Sequence, residues 1–300
     1  MPELPEVETV RGGLEKAWLG KKIVKVILRR ENLRYPFPED FAKRLEGETI
    51  IGIRRRAKYL LIDTESQQVF LSHLGMSGRY TLFDTDSVTK FNLLNSESKS
   101  VFGEKTGFEG RHDHMEIRFD DGSISVYTDP RRFGIVKLFH RAEEEIQPLL
   151  AILGPEPFED WNAKVAADRC RGKRSPIKTT LLDQRFVVGV GNIYACEALH
   201  NAGISPTKQA CKLVTKSGKP TKALESLVAE VKIVLNKAIA AGGSTLNDFT
   251  DVDGNLGYFS HQFNIYGRED EPCLKDGCGG TVERIVQSNR STFHCPRCQK

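Results

Sequence analysis

The last thirty residues hold the densest chemistry in the chain. Cys273 and Cys278 have four residues between them, Cys295 and Cys298 have two, and sixteen residues join the pairs. Four soft thiolates at such spacing suit the tetrahedral preference of zinc, which can order a segment too short to own a hydrophobic core. The intervening TVERIVQ and RSTFHC read as two strands of a hairpin turning at Ser288-Asn289. Four unrelated thiols, or His294 in place of one of them, stay open on spacing alone. The opposite end offers a different reagent. Removal of Met1 would expose the secondary amine of Pro2, whose pKa as an α-amino group is about 8, so a substantial fraction is unprotonated near neutrality. Such an amine can attack an electrophilic sugar carbon and form an iminium. Glu3 beside it could act as general acid, and Glu6, one helical turn on, could assist. Taken alone, Met-Pro-Glu is also an ordinary N-terminus.

Basic side chains recur between these ends. Arg54, Arg55, Arg56 and Lys58 precede a strand, Arg131 and Arg132 lie in TDPRRFG, and Arg171, Lys173, Arg174 and Lys178 precede a helical pair. Arg284, Arg290 and Arg297 sit on or near the thiol hairpin. If they converge they form a phosphate-binding groove; any one run by itself is better read as a solvated face. Asn192 stands at an expected helix N-cap, where outward backbone amides suit a phosphate, though a plain cap explains it as well.

These groups need positioning elements. From residue 22 to 140, seven short apolar runs (23-30, 49-55, 58-63, 68-74, 114-119, 123-129 and 134-140) alternate with turn residues, as in a sandwich or barrel. Val7, Val10, Leu14 and Trp18 predict a preceding helix over Pro5 to Trp18, weakened by Gly12 and Gly13. Residues 84-111 are polar, without sustained period, and read as a mobile surface loop with no catalytic role. LGPEPFED at 153-160 is the expected linker. Beyond it, SPIKTTLLDQ and NIYACEALHNAG predict two helices around the loop RFVVGVG, with Gly203 as the stop. A longer helix starts at a Thr221 cap and ends at Gly242-Gly243. The predicted class is therefore α+β: a β-rich domain, sandwich or barrel, at 1-152, the linker at 153-160, a helical domain at 161-270, and a four-cysteine zinc hairpin at 271-300.

Bulk properties set the limits. The 300 residues are 39% hydrophobic with a net charge of +4, enough apolar material for two cores and only mildly basic. Seven cysteines, an odd number with one tight cluster, argue against a disulfide framework and for a reducing compartment. The acidic start MPELPEVETV is unlike a signal peptide, and no apolar run reaches about 18 residues, so a soluble intracellular protein with no membrane partner and no targeting sequence is expected.

PELPEVET, RRAKYLL at 55-61, HLGMSG at 73-78, TDPRRFG at 128-134, VVGVGNIYACEAL at 187-199 and the terminal thiols together resemble bacterial-type formamidopyrimidine-DNA glycosylase nearly end to end. That family is a bifunctional glycosylase and AP lyase for oxidised purines, built from a β-sandwich, a helix-two-turns-helix unit and a zinc finger. The resemblance implies Pro2 as Schiff-base nucleophile and Glu3 as acid, with Lys58 and Arg290 completing the catalytic set. Lys58, Asn192 and Arg290 would clamp phosphates, with Lys178 a further contact near the lesion. His73 joins the DNA-binding set through HLGMSG, and Met76, Arg131 and Phe133 would fill the vacated stack and read the opposite cytosine. Without that context Met76 and Phe133 are packing residues and Arg131 a turn donor. Residues 251-259 correspond to the segment covering the everted base. One structural zinc, duplex damaged DNA as partner and a monomeric state follow.

Two features depart from the family pattern: four residues rather than two within the first cysteine pair, and the long stretch at 84-111. Two other readings share these motifs. One is a sister glycosylase for oxidised pyrimidines, and the other is a catalytically silent protein that binds damaged DNA.

Overall fold

The computed structural model describes residues 2–86, 110–244 and 262–300. The expected loop at 84-111 and covering segment at 251-259 therefore lie largely or wholly outside the described residues. The chain divides into two compact units, one of Met1–Pro2, Glu6–Leu150 and Ser244–Gly257, the other of Glu3–Pro5, Ala151–Gly243 and Tyr258–Lys300.

The first unit is a two-sheet sandwich. One antiparallel sheet runs β1 (Ile23–Leu28), β6 (Asp113–Phe119), β7 (Ile124–Thr128), β5 (Arg79–Phe83); the other runs β2 (Ile50–Arg56), β3 (Tyr59–Thr64), β4 (Gln68–His73), β8 (Ile135–His140). Register pairs such as Val26 with Ile117 and Ile62 with Phe70 put apolar side chains into one core. Strand β5, RYTLF, escaped the sequence reading because it is short and its apolar residues alternate with only two polar ones. Helix α1 (Leu4–Trp18) buries Val7, Val10, Leu14 and Trp18 in that core, with Trp18 edge-on to Tyr80 at 5.3 Å. That burial overrides Gly12 and Gly13, each costing about 1 kcal/mol against Ala in a helix. A short α2 (Phe41–Leu45), a 3-10 helix over Arg141–Ile146 and, near the end of this segment, α3 (Pro148–Ala151) are also formed.

The second unit is helical with a terminal hairpin. Its helices are α4 (Ala163–Cys170), α5 (Ile177–Leu182), α6 (Asn192–Asn201) and α7 (Lys222–Ala240). Thr221 caps α7 by accepting the Leu224 N–H, worth about 1 kcal/mol. Leu224, Leu227, Val231 and Leu235 line its buried face. Gly203, at φ +67, ends α6 as expected. Within 153-160, Gly154 to Pro157 are buried: Gly154 N–H donates to Gln184 O at 2.8 Å and Pro155 O accepts the Val188 N–H at 3.0 Å. Strands β9 (Glu283–Gln287) and β10 (Arg290–His294) form the predicted hairpin. Ser288 and Asn289 both adopt positive φ, the pairing that a two-residue turn needs to match strand twist. No helix among the described residues is long and apolar enough to cross a membrane.

Candidate active site and metal centre

Chain order places Pro2, which is buried, directly before Glu3, which is 4% exposed. Within the helical unit the loop before α6 cradles the latter. Leu4 N–H donates to Gly189 O at 3.1 Å, and Glu3 Oε1 accepts the Ile193 N–H at 3.2 Å. A carboxylate at a helix start is favoured by the amides and dipole there. Both glycines of GVGN are spatial requirements: a Cβ on Gly191 would overlap the Glu3 carboxyl, and one on Gly189 would overlap Leu4. Gly189 also sits at φ +78. This corrects one expectation: the N-cap of α6 is Gly191, Asn192 is the first helical residue, and the amide of Ile193 serves Glu3. In the sandwich unit Glu6, 2% exposed, accepts from Ser244 N–H at 2.8 Å and Ser244 Oγ at 2.9 Å.

Asn192 and Lys178 form a strut with β10. Lys178 is fully buried, its Nζ donating to Asn192 Oδ1 and Thr292 Oγ1, each at 2.6 Å, and to Ser291 O at 3.3 Å. Asn192 Nδ2 donates to Ser291 O at 2.9 Å and to Tyr266 Oη at 3.3 Å. Burial, with the charge of Arg290 adding, pulls the Lys178 ammonium below its ordinary pKa. Arg290 itself is exposed at the start of β10. Nearby, Glu197 of α6 accepts the N–H groups of Asn264, Ile265 and Tyr266 at 2.9 to 3.0 Å, and burial raises its carboxyl.

In the sandwich unit the HLGMSG and TDPRRFG turns are bound to each other. Asp129, fully buried, accepts Ser77 Oγ–H at 2.6 Å and Gly134 N–H at 2.8 Å, while Ser77 Oγ accepts the Arg131 N–H at 3.0 Å. Gly75 must be glycine, since a Cβ there would enter the Phe133 backbone. Met76 is partly exposed; the Arg131 guanidinium lies over the Phe133 ring at 5.1 Å, with both side chains exposed. Asp129 and Ser77 lay inside motifs read for their neighbours, and only their spatial approach reveals the bracket. His73 accepts the Gly75 N–H through Nδ1 at 3.0 Å, and burial plus the charges of Lys58 and Arg34 pull its imidazole down to about 4. Lys58 itself is 7% exposed and follows Ala57 at φ +55.

Within the run Arg54 to Lys58, Arg54 and Arg55 are committed to carboxylates. Arg54 makes a fork to Asp63 at 2.7 and 2.9 Å and another to Glu144 at 3.0 and 2.7 Å. Arg55 pairs with Glu8 at 2.8 Å. Strand alternation sends these guanidiniums to internal partners, which a charge count along the chain does not reveal.

Sγ atoms of Cys273, Cys278, Cys295 and Cys298 all lie within 4.8 Å of one another. The pairs Cys273–Cys298 and Cys278–Cys295 stand at 3.8 and 3.6 Å. A tetrahedron with zinc–sulfur bonds of about 2.3 Å has edges of about 3.8 Å, so the donor set fits zinc and is too wide for disulfides. The wider first knuckle turns through Gly277 at φ +68, and a Cβ on Gly280 would lie 2.7 Å from Cys295 Sγ.

Comparison with known proteins agrees with this architecture. Residues 1–136 match the model of the formamidopyrimidine-DNA glycosylase N-terminal domain, 153–250 that of its H2TH domain, and 270–300 the zinc finger found in FPG and IleRS. Proteins named formamidopyrimidine-DNA glycosylase are 49% identical in Bradyrhizobium sp. strain BTAi1 and 48% in Agrobacterium fabrum, each match covering 100% of both chains. A solved Lactococcus lactis FPG mutant in complex with Fapy-dG containing DNA is 32% identical with a TM-score of 0.82, again over 100% of both chains. MutM in complex with carbocyclic 8-oxo-G containing DNA is 33% identical with a TM-score of 0.81 and the same coverage. The α+β fold read from the sequence is therefore the observed one, the chain carries a structural zinc in its terminal finger, and it belongs to the formamidopyrimidine-DNA glycosylase family.

Proposed function

We propose that the chain excises oxidised purines, 8-oxoguanine and formamidopyrimidines, from duplex DNA and then cleaves the resulting abasic site, a DNA glycosylase with AP lyase activity. The observation that carries this reading is the Glu3 carboxylate, next in chain to the Pro2 amine and held at the start of α6 in a site shaped by Gly191. Once Met1 is gone, the unprotonated Pro2 nitrogen attacks C1′ of the damaged deoxynucleotide as the bond from C1′ to the base breaks, and the base departs with the proton that the Pro2 nitrogen gives up. Glu3 protonates the sugar ring oxygen, the ring opens, and nitrogen and C1′ form an iminium. That iminium acidifies the C2′ hydrogens, so the 3′ phosphate and then the 5′ phosphate leave by β,δ-elimination.

In this reading Lys58 and Arg290 belong to the catalytic set, Lys58, Asn192 and Arg290 clamp phosphates, and Lys178, which also orients Asn192, is a further contact near the lesion. His73, Met76, Arg131 and Phe133 contact the DNA, the last three filling the gap left by the extruded nucleotide. Cys273, Cys278, Cys295 and Cys298 ligate the zinc, which when bound cross-links a finger whose few buried apolar side chains, Val282 and Phe293, cluster around the ligand cysteines. The domain division proposed is 1-152, a linker at 153-160, 161-270 and 271-300. A monomer acting on damaged duplex DNA in the cytoplasm, at the nucleoid, completes the proposal.

Borohydride reduction during reaction with an 8-oxoguanine duplex tests it. A covalent adduct mapped to Pro2 is expected. Adduct only with an oxidised-pyrimidine duplex assigns the sister activity, and duplex binding without any adduct assigns a silent binder.

A further inference from the structure

The last turn of α6 carries a group that neither the thiol pattern nor the catalytic set uses. His200 is 3% exposed, and its Nε2 lies 3.3 Å from Cys273 Sγ. A metal-bound thiolate can only accept, so the contact requires Nε2 to carry the proton and donate it. The helix end that carries the imidazole is held in place. Just beyond α6, Gly203 O accepts the Lys300 N–H at 3.0 Å, Ser205 N–H donates to Lys300 O at 3.1 Å, and Gln299 Nε2 donates to Ile204 O at 2.9 Å. The same Gln299 accepts the Cys295 N–H through Oε1 at 2.8 Å. The end of α6 is thus laced to the residues around Cys298, and the backbone that carries His200 cannot move from the cluster without breaking that lacing.

Four thiolates around one divalent cation leave two net negative charges. Here they lie where Cys273 and Cys278 are only 9% and 8% exposed and Cys295 is fully buried. A donor aimed at a ligand sulfur disperses that charge and fixes the direction in which the sulfur presents itself. Cys273 opens the knuckle of four intervening residues, which has more conformations to lose than a two-residue one. From these facts, and resting on the zinc assignment made above, we propose that His200 is a positioning residue for the metal, its Nε2–H holding Cys273 in the ligating direction and compensating the wider knuckle.

The full-length protein loaded with cadmium-113 reads this directly. A scalar coupling between the metal and the His200 Nε2 proton, passed through the sulfur, is expected. Metal bound without that coupling overturns the role of His200 alone, whereas failure of the four thiols to bind metal overturns the zinc assignment with it. Transfer of zinc to a chromophoric chelator gives the functional counterpart. H200L should release zinc about tenfold faster than the parent, while H200Q, whose amide N–H can reach the same sulfur, should stay close to it. Equal release from H200L and the parent overturns the proposal, and if H200L does not fold, the coupling in the unsubstituted protein decides.

Discussion

The Glu3 carboxylate accepts the backbone N–H of Ile193 at 3.2 Å across 190 residues of sequence. The proposed acid is thereby held by the start of α6, and Gly191 is the residue that leaves it room. Gly191→Ala should therefore push Glu3 aside. Its backbone, at φ −119, accepts alanine without strain, so the effect is displacement and not misfolding. Excision of 8-oxoguanine is expected to fall about a hundredfold, the scale of a one-ångström misplacement in a reacting constellation. Single-turnover kinetics beside unchanged far-ultraviolet dichroism checks it.

Retention of Met1, or an N-terminal tag, blocks the Pro2 nitrogen. Borohydride trapping should vanish while duplex affinity changes by less than about twofold, since no phosphate contact is lost. Trapping gels and fluorescence anisotropy on the same preparation separate these quantities.

Removal of Ser77 Oγ leaves a buried Asp129 oxygen and the Arg131 N–H without their shared partner. S77A should lose about 1 to 3 kcal/mol of stability. Because the turn presenting Arg131 loosens, discrimination between cytosine and adenine opposite the lesion should narrow as well. Urea unfolding gives the first quantity, and excision rates with each opposite base give the second.

His73 holds its imidazole at about 4 in the folded protein, below the unfolded reference of about 6.5. Between those values the unfolded chain binds more protons, so stability rises with pH from 4 to 6.5 and is penalised as pH falls. His73→Gln should flatten that slope. Urea midpoints measured at pH 5 and pH 7 for both proteins test the sign, and the His73 ring signals should stay those of the neutral form at pH 5.

Chelation of the metal should free the hairpin and with it Ser291 and Thr292, to which Asn192 and Lys178 are bonded. Loss of DNA affinity should then exceed that of removing the Arg290 charge alone, because Asn192 loses its orientation too. Comparing chelator-treated protein with R290A by anisotropy distinguishes the two outcomes.

Local rules carried much of this molecule. Thr221 as a cap, Gly203 as a stop, the Ser288-Asn289 turn and the thiol spacing all depend on residues within a few positions of one another, where propensity and steric limits act. Most strands of the sandwich were legible for the same reason, through alternation and punctuation. What the chain could not announce was partnership at a distance. Arg54 reads as a free cation until Asp63 and Glu144 are beside it, and Asp129 reads as a turn residue until Ser77 and Gly134 close on it. Nothing in the sequence gives Lys178 its partners Asn192, Ser291 and Thr292, and His200 has no role until the fold brings Cys273 to its ring. Hydrogen bonds and ion pairs act over a few ångströms and carry no signal of sequence separation, so such pairings arise only when the packed cores set which segments meet.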